Sequence, residues 1–124
     1  MNAFSWLLVG HMIGDWLLQS DWMAREKKQS FISKAGMSHF VLYTAVVVAM
    51  IWLFCGVDKN PIFYLFVGAV IFLSHWLIDA TTIVERWMQF YGQDSSRDFM
   101  RIIVDQTMHL VVLAVLAVGC LSTG

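Results

Sequence analysis

The stretch Phe66-Val67-Gly68-Ala69-Val70-Ile71-Phe72-Leu73-Ser74-His75-Trp76-Leu77-Ile78-Asp79 decides the fold. It runs apolar for several helical turns and then sets a His and an Asp four residues apart, neighbours on one helix face. A surface helix of a water-soluble protein would carry a charged face along its length. This stretch carries no charge before Asp79, so it reads as a membrane span with a polar stripe at one end.

The rest of the chain agrees. Of its 124 residues 59% are apolar and 14% charged, against about 45–50% and about 25% in soluble domains. Apolar runs at 3–18, 36–57, 62–83 and 102–121 predict four helices, each near the length that crosses about 30 Å of hydrocarbon. The expected fold is all-α: one integral membrane domain, 1–124, built as a four-helix bundle. A large extramembrane catalytic domain is excluded. Met1 to Asp15 has no Lys or Arg and so reads as a retained span, since a secretory leader would begin with positive charge.

Charge placement gives the expected orientation. Arg25, Lys27, Lys28 and Lys34 lie between the first and second runs, and Arg86, Arg97 and Arg101 between the third and fourth. Only Lys59 lies in the opposite turn, at Asn60-Pro61, so the basic connections are expected on the cytoplasmic side of a bacterial inner membrane, with both termini outside. Trp22, Phe31, Trp87, Phe90, Tyr91 and Phe99 flank them as headgroup anchors would. The stretch 85–100 is expected to include a surface helix, interrupted near Gly92. Nothing resembles a nucleic-acid patch. Cys55 and Cys120 are too few for a disulfide framework or a cysteine metal site and read as buried free thiols.

All four histidines fall inside the apolar runs, with three aspartates. His11 and Asp15, His75 and Asp79, and Asp105 and His109 are each one turn apart, and His39 shares its face with Tyr43. An Asp near the centre of a span costs roughly 2.5–3.5 kcal/mol to insert, so these stripes must face one another. Their depths match, which predicts one intramembrane layer. Gly10-His11-x-x-x-Asp15 followed by His39 recurs as Ser74-His75-x-x-x-Asp79 followed by His109. The bundle is therefore expected to consist of two pseudo-repeated helical hairpins with two similar half-sites, as a two-metal centre would need.

No Lys or Arg lies inside the runs to balance three carboxylates, and imidazole with carboxylate is the ligand set of zinc, manganese, iron or cobalt. One or two divalent ions are therefore expected on His11, Asp15, His39, His75, Asp79, Asp105 and His109. Asp15, Asp79 and Asp105 are also candidate general bases. The competing explanations are a proton or ion pathway and polar pairs that hold helices together in an assembly subunit. Gly10-x-x-x-Gly14 reads as a close helix contact, and the scattered Met residues as packing rather than copper ligands. Arg86 and Arg101 fit either a phosphate clamp or ordinary flanking charge; Gln19, Asp21 and Gln106 fit supports behind the ligands or the mouth of the site, and Tyr43, Arg86, Arg101, Gln19 and Gln106 are the candidate substrate contacts. HExxH, GxSxG and P-loop motifs are absent. The expected activity is metal-dependent hydrolysis at the cytoplasmic interface, on a lipid-like or phosphate-containing amphipathic substrate. A metal or proton transporter, or a non-catalytic assembly subunit, is the alternative, and an oligomer is compatible with each.

The stretch Gly10-His11-x-x-Gly14-Asp15-x-x-Leu18-Gln19-x-Asp21-Trp22-Met23-Ala24, with Lys27-Lys28, His39 and Tyr43, His75-x-x-x-Asp79 and Asp105-Gln106-x-x-His109, resembles a bacterial domain-of-unknown-function family of small membrane proteins over nearly the whole chain. The His–Asp spacing alone is also similar to that of membrane-bound metal-dependent hydrolases, which are longer. Together the resemblances imply a small integral membrane protein with a metal site.

Overall fold

The computed structural model describes residues 1–27, 32–119 and 121, and all regular structure among them is helical. Lys28, Phe31 and Cys120 lie outside the described residues. Helix α1 (Ala3–His11) runs directly into a π-helical segment, Met12–Leu17. After it come a short α2 (Asp21–Glu26), α3 (Lys34–Cys55), α4 (Pro61–Ala80), α5 (Ile83–Phe90) and α6 (Asp98–Gly119).

Local chemistry places most of these boundaries. Asn2, Ser20, Ser33 and Asn60 each accept a hydrogen bond from a backbone N–H in the first turn of the helix that follows. Pro61 starts α4, where its missing N–H costs nothing. Gly56 ends α3 at φ +65, a conformation disfavoured for residues with a Cβ, and leads into a 3₁₀ turn, Gly56–Asp58.

Three helices are long and apolar enough to cross a membrane: α3 with its 3₁₀ end, α4 and α6. The first expected span differs. Its nine α-helical and six π-helical residues fall short of about 30 Å at about 1.5 Å per residue. The third ends at Ala80, earlier than expected, because the chain bends at Thr81-Thr82 and starts α5. Helix α5 buries Val84 and Met88, one turn apart, and exposes Trp87 and Phe90. The expected surface helix thus begins earlier than 85 and stops before Gly92.

Helix α1 packs on α3 and α6, α3 on α4, and α4 on α6, while α5 lies against α4 and α6. Leu7, Val47, Ile51, Val67, Ile71, Leu113 and Leu116 form the apolar core. Large side chains such as Leu65, Phe66, Val115 and Val118 stay exposed on the outside. In hydrocarbon, close packing rather than transfer from water brings helices together. Gly10 and Gly14 show how: a Cβ on Gly14 would lie 2.9 Å from Tyr43 Cδ2, and one on Gly10 would lie 3.0 Å from Met50 Cγ. The first segment therefore lies directly on α3 beside His11 and Asp15.

Candidate metal centre

The side chains of the centre come from four elements. His39 projects from the second turn of α3, His75 and Asp79 from the end of α4, and Asp105, Gln106 and His109 from the first half of α6. Asp15 comes from the π-helical segment, where Leu18 N–H reaches back five residues to the Ile13 carbonyl. The widened turn sets where Asp15 points, and π segments are frequent at functional sites.

Asp15, His39, His75 and Asp79, all buried, form a quartet. His39 Nε2 and His75 Nε2 stand 2.8 Å apart. His39 Nε2 is 3.2 Å from Asp15 Oδ1 and 3.4 Å from Asp79 Oδ2. His75 Nε2 is 3.7 and 3.4 Å from the same two oxygens. Ligands at the bond lengths usual for zinc would be separated by about 3.3–3.6 Å at the corners of a tetrahedron. The five donor separations bracket that range, so the quartet could hold a metal ion after small side-chain shifts. Tyr43 fixes the plane of His75 by stacking at 3.7 Å and 7°. Phe40 meets His39 and His75 edge-on.

A second group shares Asp79. His109 Nδ1 donates to the Asp105 carbonyl at 2.8 Å and lies 3.2 Å from Asp105 Oδ1. In the neutral ring this leaves an unprotonated Nε2, 3.4 Å from Asp79 Oδ1. Two lone-pair atoms then face each other, and a cation or a proton between them relieves the repulsion. Asp79, Asp105 and His109 could likewise hold an ion. Asp15 Oδ1, Asp79 Oδ1 and His109 Nε2 are buried without a hydrogen-bond partner among the described residues, as atoms reserved for a ligand would be.

The two groups cut across the expected half-sites. The sequence repeat pairs His11, Asp15 and His39 against His75, Asp79 and His109, whereas the quartet combines members of both copies. His11 belongs to neither group. Its Nδ1 is 2.9 Å from the Tyr43 hydroxyl and its Nε2 is 2.8 Å from Gln106 Oε1, leaving Asp15 3.9 Å away. Gln106 also accepts from Trp16 Nε1 and donates to Asp15 Oδ2 at 3.1 Å, so it orients the ligand set from outside. Tyr43 is buried and acts on His11 and His75. Gln19 keeps a buried Oε1 without a hydrogen-bond partner among the described residues, while Asp21 is exposed on α2. Arg86 is exposed on α5. Arg101 pairs on the surface with Asp98 at 3.0 Å. Neither arginine forms an ion pair with the layer among the described residues.

One expectation is corrected: the acids are not without a positive charge. Lys27, from the connection after α2, reaches in and places its Nζ 2.6 Å from Asp79 Oδ2. Burial lowers the pKa of its ammonium, but the Asp79 and Asp15 carboxylates outweigh that and hold it above the ordinary lysine value. Nothing in the sequence separates Lys27 from Arg25 or Lys34. The distinguishing feature is tertiary: α2 packs on α3, which brings Lys27 Cα to within 3.4 Å of where a Cβ on Gly36 would stand. One lysine against Asp15, Asp79 and Asp105 still leaves an acidic excess.

No curated protein and no solved structure matches the chain. A family model does, over residues 3–123, and the chain therefore belongs to DUF3307, a family described as protein of unknown function.

Proposed function

We propose that this is an integral membrane metalloenzyme, a hydrolase acting at the cytoplasmic interface on a lipid-like or phosphate-containing substrate. The observation that carries the proposal is the quartet of Asp15, His39, His75 and Asp79, whose donor atoms lie near tetrahedral separations while the second oxygen of Asp79 faces His109. In this reading the first segment inserts beside α3 to complete a four-helix bundle, and the basic connections face the cytoplasm. The quartet takes the first ion, for which zinc suits the geometry best among zinc, manganese, iron and cobalt. Asp79, Asp105 and His109 take a second. A divalent ion there would supply Lewis acidity and a water acidified to about pKa 7. Asp105, half-buried at the edge, is the carboxylate best placed to handle protons.

The apolar core on the far side of Tyr43 supports a pocket open at one end over a path for ions through the chain. The test is metal analysis of purified, chelator-washed protein beside a His75→Ala Asp79→Ala variant. Near-stoichiometric metal in the parent and none in the variant is expected; no metal in repeated parent preparations overturns the proposal. Metal-dependent cleavage of labelled phospholipids then identifies an enzyme, and liposome uptake without turnover a carrier. Cysteines engineered at Lys34 and Lys59 report the orientation, with only the second expected to label from outside the cell.

A further inference from the structure

The cation that Asp79 already holds comes from a part of the fold that is only lightly held down. Helix α2 lies on α3 but buries none of its own side chains. Two polar contacts tie its end to the rest of the molecule: the Ser33 hydroxyl donates to the Glu26 carbonyl at 3.1 Å, and the Lys27 ammonium donates to Asp79 Oδ2 at 2.6 Å. That same Asp79 oxygen stands 3.4 Å from both His39 Nε2 and His75 Nε2. One atom is therefore claimed by the ammonium and by the quartet. An ion bonded to it at the length usual for zinc would stand within about 5 Å of Nζ.

A divalent ion in the quartet balances the charges of Asp15 and Asp79 by itself. The ammonium then faces a second cation while keeping the cost of its own burial. Asp105, the remaining acid of the layer, already lies 3.2 Å from His109 Nδ1 and is open at its edge. Lysine suits an exchange of this kind, because its charge rides on a flexible four-carbon stem. The Lys27 side chain is 14% exposed, so its head has a route to water and to lipid headgroups. We infer that Lys27 is a tethered cation that closes the centre in the absence of metal, and that an entering divalent ion displaces it from Asp79 and unpins the end of α2. This regulation rests on the metal-centre proposal. Metal binding and the docking of Lys27 oppose one another, each weakening the other by the same factor. A lysine that merely steadied a ligating carboxylate would act in the opposite sense, since its removal would loosen the metal.

The test is a zinc titration against a fluorescent chelator, on the full chain in detergent after chelator washing, with Lys27→Met and Lys27→Gln beside the parent. Both variants are expected to bind the first zinc about five-fold tighter or more, the lower end of ordinary coupling between two sites. Equal or weaker binding in the variants overturns the inference. A second measurement follows the amine itself and needs no substitution: acetylation of the native protein by a water-soluble succinimidyl ester, mapped by mass spectrometry. Without zinc Lys27 should react more slowly than Lys34, which is exposed at the start of α3. Zinc should raise the labelling of Lys27 about five-fold or more and leave that of Lys34 unchanged. Protection of Lys27 that zinc does not relieve overturns the inference. Zinc bound by the parent, with Lys27 still protected and the variants no tighter, removes the latch and keeps the centre. No zinc bound by the parent or by either variant removes both.

Discussion

The quartet and the trio share one aspartate but differ in how they are built. Asp15, His39, His75 and Asp79 come from three separate parts of the chain and are all buried. In the trio, Asp105 and His109 are neighbours on α6, Asp105 is only half-buried, and α4 contributes Asp79 alone. A site assembled from distant segments exists only when the fold is complete. A site built mostly on one helix is local and open at its edge. In the proposed centre the quartet would hold its ion permanently, and the trio would exchange ligands.

Substitutions can break this comparison in graded ways. Asp79→Ala should have the largest effect, emptying both sites and reducing metal to background by mass spectrometry of the purified protein. His39→Ala should weaken the first ion by more than about 100-fold, beyond the effect usual for a supporting residue, as titration with a fluorescent chelator would show. Asp105→Asn should lower stoichiometry from two ions to one while leaving the tighter site within about three-fold; loss of both ions would show that the trio is no separate site. Lys27→Met leaves Asp79 without its close cation. Without metal it should cost about 3 kcal/mol, seen as a lower melting temperature, and added zinc should restore most of the loss by providing charge in its place.

The sequence carried the polar layer better than its internal connections. His39, His75, Asp79 and His109 could be brought together because membrane burial of ionisable groups forces stripes inward, and depth along a span follows from residue number. Which group each side chain joins was not legible. Spacing of four residues puts His11 and Asp15 on one face, yet Gln106 and Tyr43 take both ring nitrogens of His11. The entry of Lys27 into the layer depends on the packing of α2 on α3, which no periodicity records. The first segment reads as a span because composition counts apolar residues without registering that the α-helix changes to π at Met12.

That change of helix type makes the chain between Gly10 and Ser20 sensitive to counting rather than to composition. Residues in an α-helix follow one another at about 100° around the axis. Deleting Met12 or Ile13, which precede Asp15, while the segment keeps its π turns would draw the carboxylate back by one residue with the apolar character of the chain intact. The carboxylate would then be carried about a quarter-turn away from His39 and His75. A single-codon deletion that alters neither charge nor hydropathy would unmake the centre, whereas a conservative exchange of Ile13 or Leu17 for another aliphatic residue would leave it in register.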